Sequence, residues 1–150
     1  MPVTDRDHAE GRADARVTLV EYGDYECPYS RMAFRTIQRL EQQFAGQLRF
    51  VFRQLPLTGI HPHALAAAHF AEAAALQGRF WPMHELWTGN GCWPDLDSQT
   101  VRQRVQADVD SALESGARGT PTLFLNGRLH QAGYDEAVLG AALAAAIKET

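Results

Sequence analysis

The alternation of apolar and polar positions divides the first third of the chain into a strand, a helix and a strand. Residues 17–22 are rich in β-branched and aromatic side chains and predict a buried strand. Apolar residues three or four positions apart then predict a helix over about 30–44, and residues 48–53 predict a second strand. Because one helix connects the two strands, we expect them to be parallel with a right-handed crossover.

The middle of the chain has helical periodicity throughout. It predicts an alanine-rich helix that ends near residue 77, a short aromatic helix at 80–87, and a long helix that begins at 97–98. These segments together form a helical region from about residue 61 to 115. They separate the first two strands from everything that follows.

The two ends of the chain differ in character. Near the C-terminus, a strand at 122–125 is followed by an Asn-Gly turn, a second strand at 128–130 and a last helix from Asp135. The first fifteen residues are polar and charged, and we expect them to be a loosely packed lead-in. The patterns therefore predict one α/β domain with a sheet of four strands or slightly more.

Composition limits the classes of function. A chain of 150 residues forms one domain with a sizeable core, and its net charge of −4 supplies no basic stripe for nucleic acid or anionic membrane surfaces. The N-terminus lacks the apolar core of a signal peptide, and no apolar run approaches the roughly 18 residues of a membrane span. The expectation is a cytoplasmic protein that neither enters a membrane nor binds nucleic acid.

The first candidate for chemistry is Cys27, which lies where the first predicted strand gives way to the first helix. Gly23 and Asp24 supply turn residues before it, and Pro28 suits the first helical turn. The unpaired N–H groups and the dipole at a helix N-terminus favour a thiolate. A free cysteine is more commonly a small buried apolar residue. The polar residues on both sides of Cys27 instead indicate an exposed strand end and a nucleophile.

Two segments resemble parts of a known family. Residues 17–31, VTLVEYGDYECPYSR, are similar to the active-site stretch of the DsbA-like branch of the thioredoxin superfamily, whose usual motif is Cys-Pro-Tyr-Cys. Residues 119–127, GTPTLFLNG, resemble the cis-proline loop and hairpin of the same family. The similarity extends from about Asp7 to Ile147, and two motifs in the right order are more specific than either alone.

The resemblance implies an α/β, thioredoxin-like fold with an inserted, shortened α-helical cap. A single domain would cover residues 1–150, with thioredoxin halves at about 16–57 and 116–150 and the helical insert at about 61–115. The chain departs from the family pattern at Ser30, which stands where the family commonly has a second, resolving cysteine. The serine is either native or an engineered replacement.

The resemblance also assigns roles within the motif. Cys27 would be the nucleophile, flanked by Pro28 and Tyr29, and Ser30 could donate a hydrogen bond to the thiolate without displacing a bound partner. Glu21, in the first strand, would be a partly buried acid beneath the thiol that accepts or relays a proton. The alternative for Glu21 is a carboxylate at a strand edge that faces water.

The second motif would complete the site. If the Thr120–Pro121 bond is cis, the backbone N–H and C=O of Thr120 lie beside Cys27 and can pair with an extended substrate segment.

Two other features have competing interpretations. Cys92 lies in a loop rich in glycine and proline, and it is either an incidental thiol or a stand-in resolving cysteine. His61 and His63 invite a metal-binding interpretation, but neither a cysteine nor a carboxylate is spaced to complete such a site. We expect these histidines to be helix caps or surface residues and predict no metal site.

Three functions remain open from the sequence. The first is a thiol–disulfide oxidoreductase that uses Cys27 alone, with glutathione, another low-molecular-weight thiol or the substrate itself releasing the mixed disulfide. The second is a glutathione-dependent transferase or isomerase of the kappa type, and the third is a non-catalytic module that binds extended peptides. Protein or small-molecule thiols and disulfides are the expected partners, with no bound cofactor. The oligomeric state is not predicted.

Overall fold

A five-stranded mixed sheet lies at the centre of the computed structural model, which describes residues 2–86 and 98–150. The strands are β1 (His8–Glu10), β2 (Val17–Gly23), β3 (Leu48–Gln54), β4 (Thr122–Leu125) and β5 (Arg128–His130). Their order across the sheet is β1-β3-β2-β4-β5. β2 and β3 are parallel and the other neighbouring pairs are antiparallel, which confirms the predicted crossover and hairpin.

Five helices accompany the sheet in the described part of the chain. They are α1 (Pro28–Gln43), α2 (Ala64–Ala75), α3 (Phe80–Leu86), α4 (Gln99–Ser115) and α5 (Glu136–Glu149). The side chains of Ser98 and Asp135 accept N–H bonds from the first turns of α4 and α5, as N-caps do. Gly116 ends α4 with a φ of 81°, a conformation that glycine adopts without strain. None of these helices is long and apolar enough to cross a membrane.

Each face of the sheet has its own apolar core, because successive side chains of a strand point to opposite faces. On one face, Val17 and Leu19 of β2 pack with residues of α1 and α5. On the other face, Val20 of β2 packs with Ala112 of α4 and Phe124 of β4. Glu21 follows the alternation and therefore shares the face of Val17 and Leu19.

The N-terminal segment is packed more firmly than we expected. β1 pairs with β3 at the edge of the sheet, and the ring of His8 stacks on Phe80 with centroids 3.6 Å apart. The carboxylate of Asp7 binds Arg53 of β3 at 2.6 Å, and both side chains are almost fully buried. The prediction of loose packing was wrong because these polar residues are paired inside the fold rather than solvated outside it.

Candidate functional site

Cys27 is the N-cap residue of α1, and Pro28 occupies the first helical turn. The backbone N–H of Cys27 donates to the backbone carbonyl of Asp24 at 3.0 Å, and this bond closes the turn between β2 and the helix. The sequence predicted an exposed thiol, but only 3% of the residue is accessible. The polar neighbours Asp24 and Glu26 are held in hydrogen bonds to the turn and to two histidines, so their polarity does not indicate an exposed thiol.

The second motif lies directly beside this cysteine. The Thr120–Pro121 bond is cis, as predicted, and Cys27 Sγ donates to the carbonyl oxygen of Thr120 at 3.4 Å. Two segments 93 positions apart in the sequence therefore meet at one sulfur atom. β2 and β4 bring them together, because they pair in an antiparallel register in which Tyr22 lies opposite Thr122.

Ser30 is buried in the first turn of α1. Its Oγ accepts a hydrogen bond from the backbone N–H of Asp24 at 3.2 Å. A hydroxyl that accepts one bond still has its own proton to donate. In the structure, Ser30 thus fastens the helix start to the end of β2, and its predicted bond to the thiolate stays a prediction.

Glu21 has no accessible surface, and neither of its carboxylate oxygens has a hydrogen-bond partner in the described residues. Burial raises the pKa of Glu21 to about 8, because the charged form loses its hydration and gains no compensating contact. The side chain therefore holds a proton at neutral pH. The alternative of a strand-edge carboxylate that faces water does not fit this position.

The outer rim of the site is apolar. Tyr29 and Met32, in the first turns of α1, are 58% and 54% exposed. Tyr134, in the segment before α5, also lies near the site: burial first, and then the nearby Tyr29 and Cys27, raise the pKa of its hydroxyl. Nothing in the sequence pattern around Tyr134 indicated this position.

Two acids next to Cys27 contact two histidines from the start of the helical insert. Asp24 Oδ2 accepts from Nδ1 of His61 at 2.7 Å, and the carboxylate of Glu26 binds both the backbone N–H and Nδ1 of His63. Partial burial acts to raise the pKa of Glu26, but the bonds from His63 outweigh it and lower this pKa. His63 is the exposed N-cap residue of α2, as predicted for a cap or surface residue, and both histidines also contact the active-site loop.

A buried histidine lies on the other side of this loop. The hydroxyl of Tyr25 is hydrogen-bonded to His84 Nδ1 at 2.6 Å, and the His84 ring contacts Phe34 and Phe52 with centroids 4.3 and 4.4 Å away. Burial lowers the pKa of His84 to about 3, so the ring is neutral. His84 packs α3 against the active-site turn as an uncharged aromatic residue.

Residues 2–86 and 98–150 contain no group of three or more His, Cys, Asp or Glu side chains arranged to hold a metal ion. Cys92, the possible second thiol, lies outside the described residues. Within those residues, Cys27 is the free cysteine. The chemistry at the sulfur itself is therefore that of one covered thiol beside a main-chain carbonyl.

A cysteine that caps the first helix and faces a cis-proline loop defines, with this strand order, a protein of the thioredoxin-fold class. Residues 3–95 match the family model described as thioredoxin. Since this is well over half of the chain, the protein belongs to that family.

The curated relatives that the chain matches are much longer proteins. The sodium/proton antiporter NhaA 1 of Salinispora arenicola is 41% identical across 97% of this chain but only 26% of its own length. The chain thus spans about a quarter of the length of the curated relatives it matches.

Two solved structures share the whole fold. Oxidised BdbD from Bacillus subtilis superposes with a TM-score of 0.81, at 21% identity, over 98% of this chain and 96% of its own. DsbA2 from Pseudomonas aeruginosa gives 0.74 at 26% identity over 95% and 94%. These matches confirm the predicted thioredoxin-like fold and the resemblance to DsbA-like thiol–disulfide oxidoreductases.

Proposed function

We propose that the protein is a thiol–disulfide oxidoreductase in which Cys27 is the nucleophile. The observation that carries this proposal is the position of Cys27 Sγ, at the N-terminus of α1 and 3.4 Å from the Thr120 carbonyl. Unpaired N–H groups at a helix start favour negative charge on an adjacent sulfur. The DsbA-like fold supports the same chemistry.

The reaction consists of two exchanges. In the first, the Cys27 thiolate attacks one sulfur of a disulfide, so that a mixed disulfide forms and the other sulfur leaves as a thiolate. In the second, an external thiolate attacks the mixed disulfide and restores the Cys27 thiolate. Glutathione, another low-molecular-weight thiol or a second thiol of the substrate supplies this step, because Ser30 has no sulfur with which to attack.

Glu21 supplies a proton reservoir in this scheme. With a pKa raised by burial to about 8, it is protonated when the thiolate forms at neutral pH. A neutral acid beneath the site adds no negative charge against the thiolate, whereas an ionised one would oppose it. We infer that Glu21 exchanges its proton when the charge at Cys27 changes.

Substrate would approach along the Thr120 edge. The backbone of Thr120 offers polar groups to an extended segment, and the exposed rings and chains of Tyr29 and Met32 offer apolar contact. Since the sulfur is nearly covered, the segment that carries the reactive disulfide has to lie close against this rim. Protein or small-molecule disulfides can both meet this requirement.

The direct test is peptide-level mass spectrometry after limited alkylation from pH 5 to 9, combined with turnover of a glutathione mixed disulfide. We expect Cys27 to be modified well below pH 8 and faster than Cys92, and Cys27→Ala to abolish turnover. Preferential labelling of Cys92 would contradict the proposal. Transfer of glutathione to an aryl halide would instead favour a kappa-type transferase.

Ser30→Cys provides a gain-of-function test of the single-thiol mechanism. Positions three apart in a helical turn lie about 5–6 Å apart, which a disulfide can span. This variant should form an internal 27–30 disulfide in glutathione buffers and release trapped partners without added thiol. If the unaltered protein already releases a trapped partner that has no second thiol of its own, without any added thiol, the single-thiol mechanism is wrong.

The compartment stays a prediction. The cytoplasmic location expected from the sequence is tested by labelling Cys27 in intact cells with membrane-permeant and membrane-impermeant thiol reagents. Protection from the impermeant reagent alone is the expected result.

A further inference from the structure

The start of the helical insert is fastened to the active-site loop by two carboxylate–histidine contacts of very different exposure. Asp24 and His61 form the inner contact, in which the carboxylate is fully buried and the imidazole is 18% exposed. Glu26 and His63 form the outer contact, which is largely open to solvent. The same chemistry is thus repeated two residues apart, once inside the fold and once at its surface.

The inner carboxylate holds the geometry of the loop. Asp24 Oδ1 accepts from the backbone N–H of Glu26, and Oδ2 accepts from the N–H of Leu57 and from His61 Nδ1. The backbone groups of Asp24 are bonded too: its C=O accepts from the N–H of Cys27, and its N–H donates to Ser30 Oγ. When it is ionised, this carboxylate places a negative charge in the turn that ends at Cys27.

That charge would oppose a thiolate unless a cation compensated it. The charged groups around the pair are Glu26 and His63 at the surface and Arg31, which lines the same small hollow as Asp24 and Ser30. Among His61, His63 and Arg31, it is His61 that is hydrogen-bonded to the buried carboxylate of Asp24. A protonated His61 makes the pair neutral, and a neutral His61 leaves one negative charge within the loop.

We propose that His61 is a positioning residue for Cys27, whose positive charge compensates the buried Asp24 carboxylate and thereby favours the thiolate. The proposal rests on the proposed function, since it concerns the reactivity of the same sulfur. It makes the helical insert a part of the reactive site, because His61 of the insert is hydrogen-bonded to the carboxylate of the active-site turn.

The test compares alkylation rates of Cys27 between pH 4 and 9, with the modified peptide quantified by mass spectrometry. His61→Asn keeps an N–H donor for Asp24 and removes the titratable charge. We expect its rate profile to move toward higher pH, with a rate at pH 6 that is about three- to tenfold lower. His61→Lys restores a cation and should recover most of the rate.

His63→Asn is the matched control, because it removes the same chemistry from the solvent-exposed pair, where water screens the charge. Its rate at pH 6 should change by less than about twofold. Superimposable profiles for His61→Asn and the unaltered protein would overturn the proposal while leaving Cys27 as the nucleophile. Equal shifts in the two asparagine variants would also overturn it.

A second measurement needs no change at His61. Coupling is reciprocal, so a thiolate that is stabilised by protonated His61 must in turn hold the proton on His61. The midpoint of the His61 ring titration, followed by NMR, should therefore be higher in the unaltered protein than in Cys27→Ala. Identical midpoints would overturn the proposal while leaving Cys27 as the nucleophile, whereas failure of Cys27 to react in the unaltered protein would overturn the proposed function itself.

Discussion

Two glutamates, one in each half of the molecule, are completely buried and yet are treated in opposite ways. Glu72 of α2 accepts from His8 at 2.8 Å, from Arg104 at 2.6 Å and from Gln54 at 3.2 Å. Neither carboxylate oxygen of Glu21 in β2 has a hydrogen-bond partner in the part of the chain that the structure describes. Burial acts to raise the pKa of Glu72, but the bonds and charges of His8 and Arg104 outweigh it and lower this pKa, whereas burial alone raises that of Glu21.

The hydrogen-bond partners distinguish a charged carboxylate, which stabilises the fold, from an uncharged one. Glu72 is ionised and joins β1, β3 and α4 to α2 through its three partners, so it holds the N-terminal strand and the helical insert to the sheet. Glu21 is protonated and forms no side-chain hydrogen bond with the described residues. Burial therefore does not decide what a carboxylate does, because its neighbours decide which form is buried.

Glu72→Gln should have the largest effect in this comparison. The amide leaves the guanidinium of Arg104 without a counter-charge in a half-buried position, and loss of one member of a buried ion pair costs about 3–5 kcal/mol. Urea denaturation at pH 7 measures the change in the free energy of unfolding. The matched control is Glu136→Gln, which breaks an equally short but exposed pair with Arg39 and should cost under about 1 kcal/mol.

Glu21→Gln should have a smaller effect that depends on pH. The folded-state pKa of about 8 lies above the unfolded value of 4.5, so the contribution of Glu21 to stability is complete below pH 4.5 and is lost as the pH rises to about 8. Between pH 5 and 7 this amounts to about 2–3 kcal/mol. The variant should match the unaltered protein in its free energy of unfolding at pH 5 and be more stable at pH 7. If this free energy changes equally with pH in both proteins, Glu21 is already ionised in the folded state.

Asp108 of α4 is an intermediate case with one backbone partner. Burial raises its pKa to about 7, although the N–H of Gln54 acts in the opposite direction. Its contribution to stability is present below its unfolded pKa of 3.8 and is lost as the pH rises to 7. Asp108→Asn should therefore gain about 2 kcal/mol at pH 7 relative to pH 5, as measured by thermal unfolding at both pH values. No gain would mean that the nearby arginines already stabilise its charge.

The periodicity of apolar residues in the sequence predicts the strands and helices but not the pairs of polar side chains. Alternation along 17–22 and 48–53 specifies which side chains share a face, and the two motifs specify that Cys27 and Thr120 meet. Polar pairing is not encoded in this way. His61 could face any of several acids, and its bond to Asp24 depends on how a loop 37 residues away folds back.

The burial of Cys27 illustrates the same limit. Polar residues around Cys27 in the sequence indicated exposure, but the side chains of Asp24 and Ser30 accept hydrogen bonds from backbone N–H groups of the turn itself. The firmly held N-terminal segment was missed for a related reason: the acid and the arginine that bind one another, Asp7 and Arg53, are each hydrophilic when considered alone.

In the proposed reaction, the covered sulfur would also distinguish substrates by how ordered they are. With 3% of Cys27 accessible, a disulfide fixed in the surface of a rigid globule would not bring its sulfur into line for attack. A small molecule, a chain terminus or a stretch that has come loose from its own fold can. The rate at which a protein is processed would then track how often its disulfide region opens, so the site would act as a gauge of local unfolding in its clients.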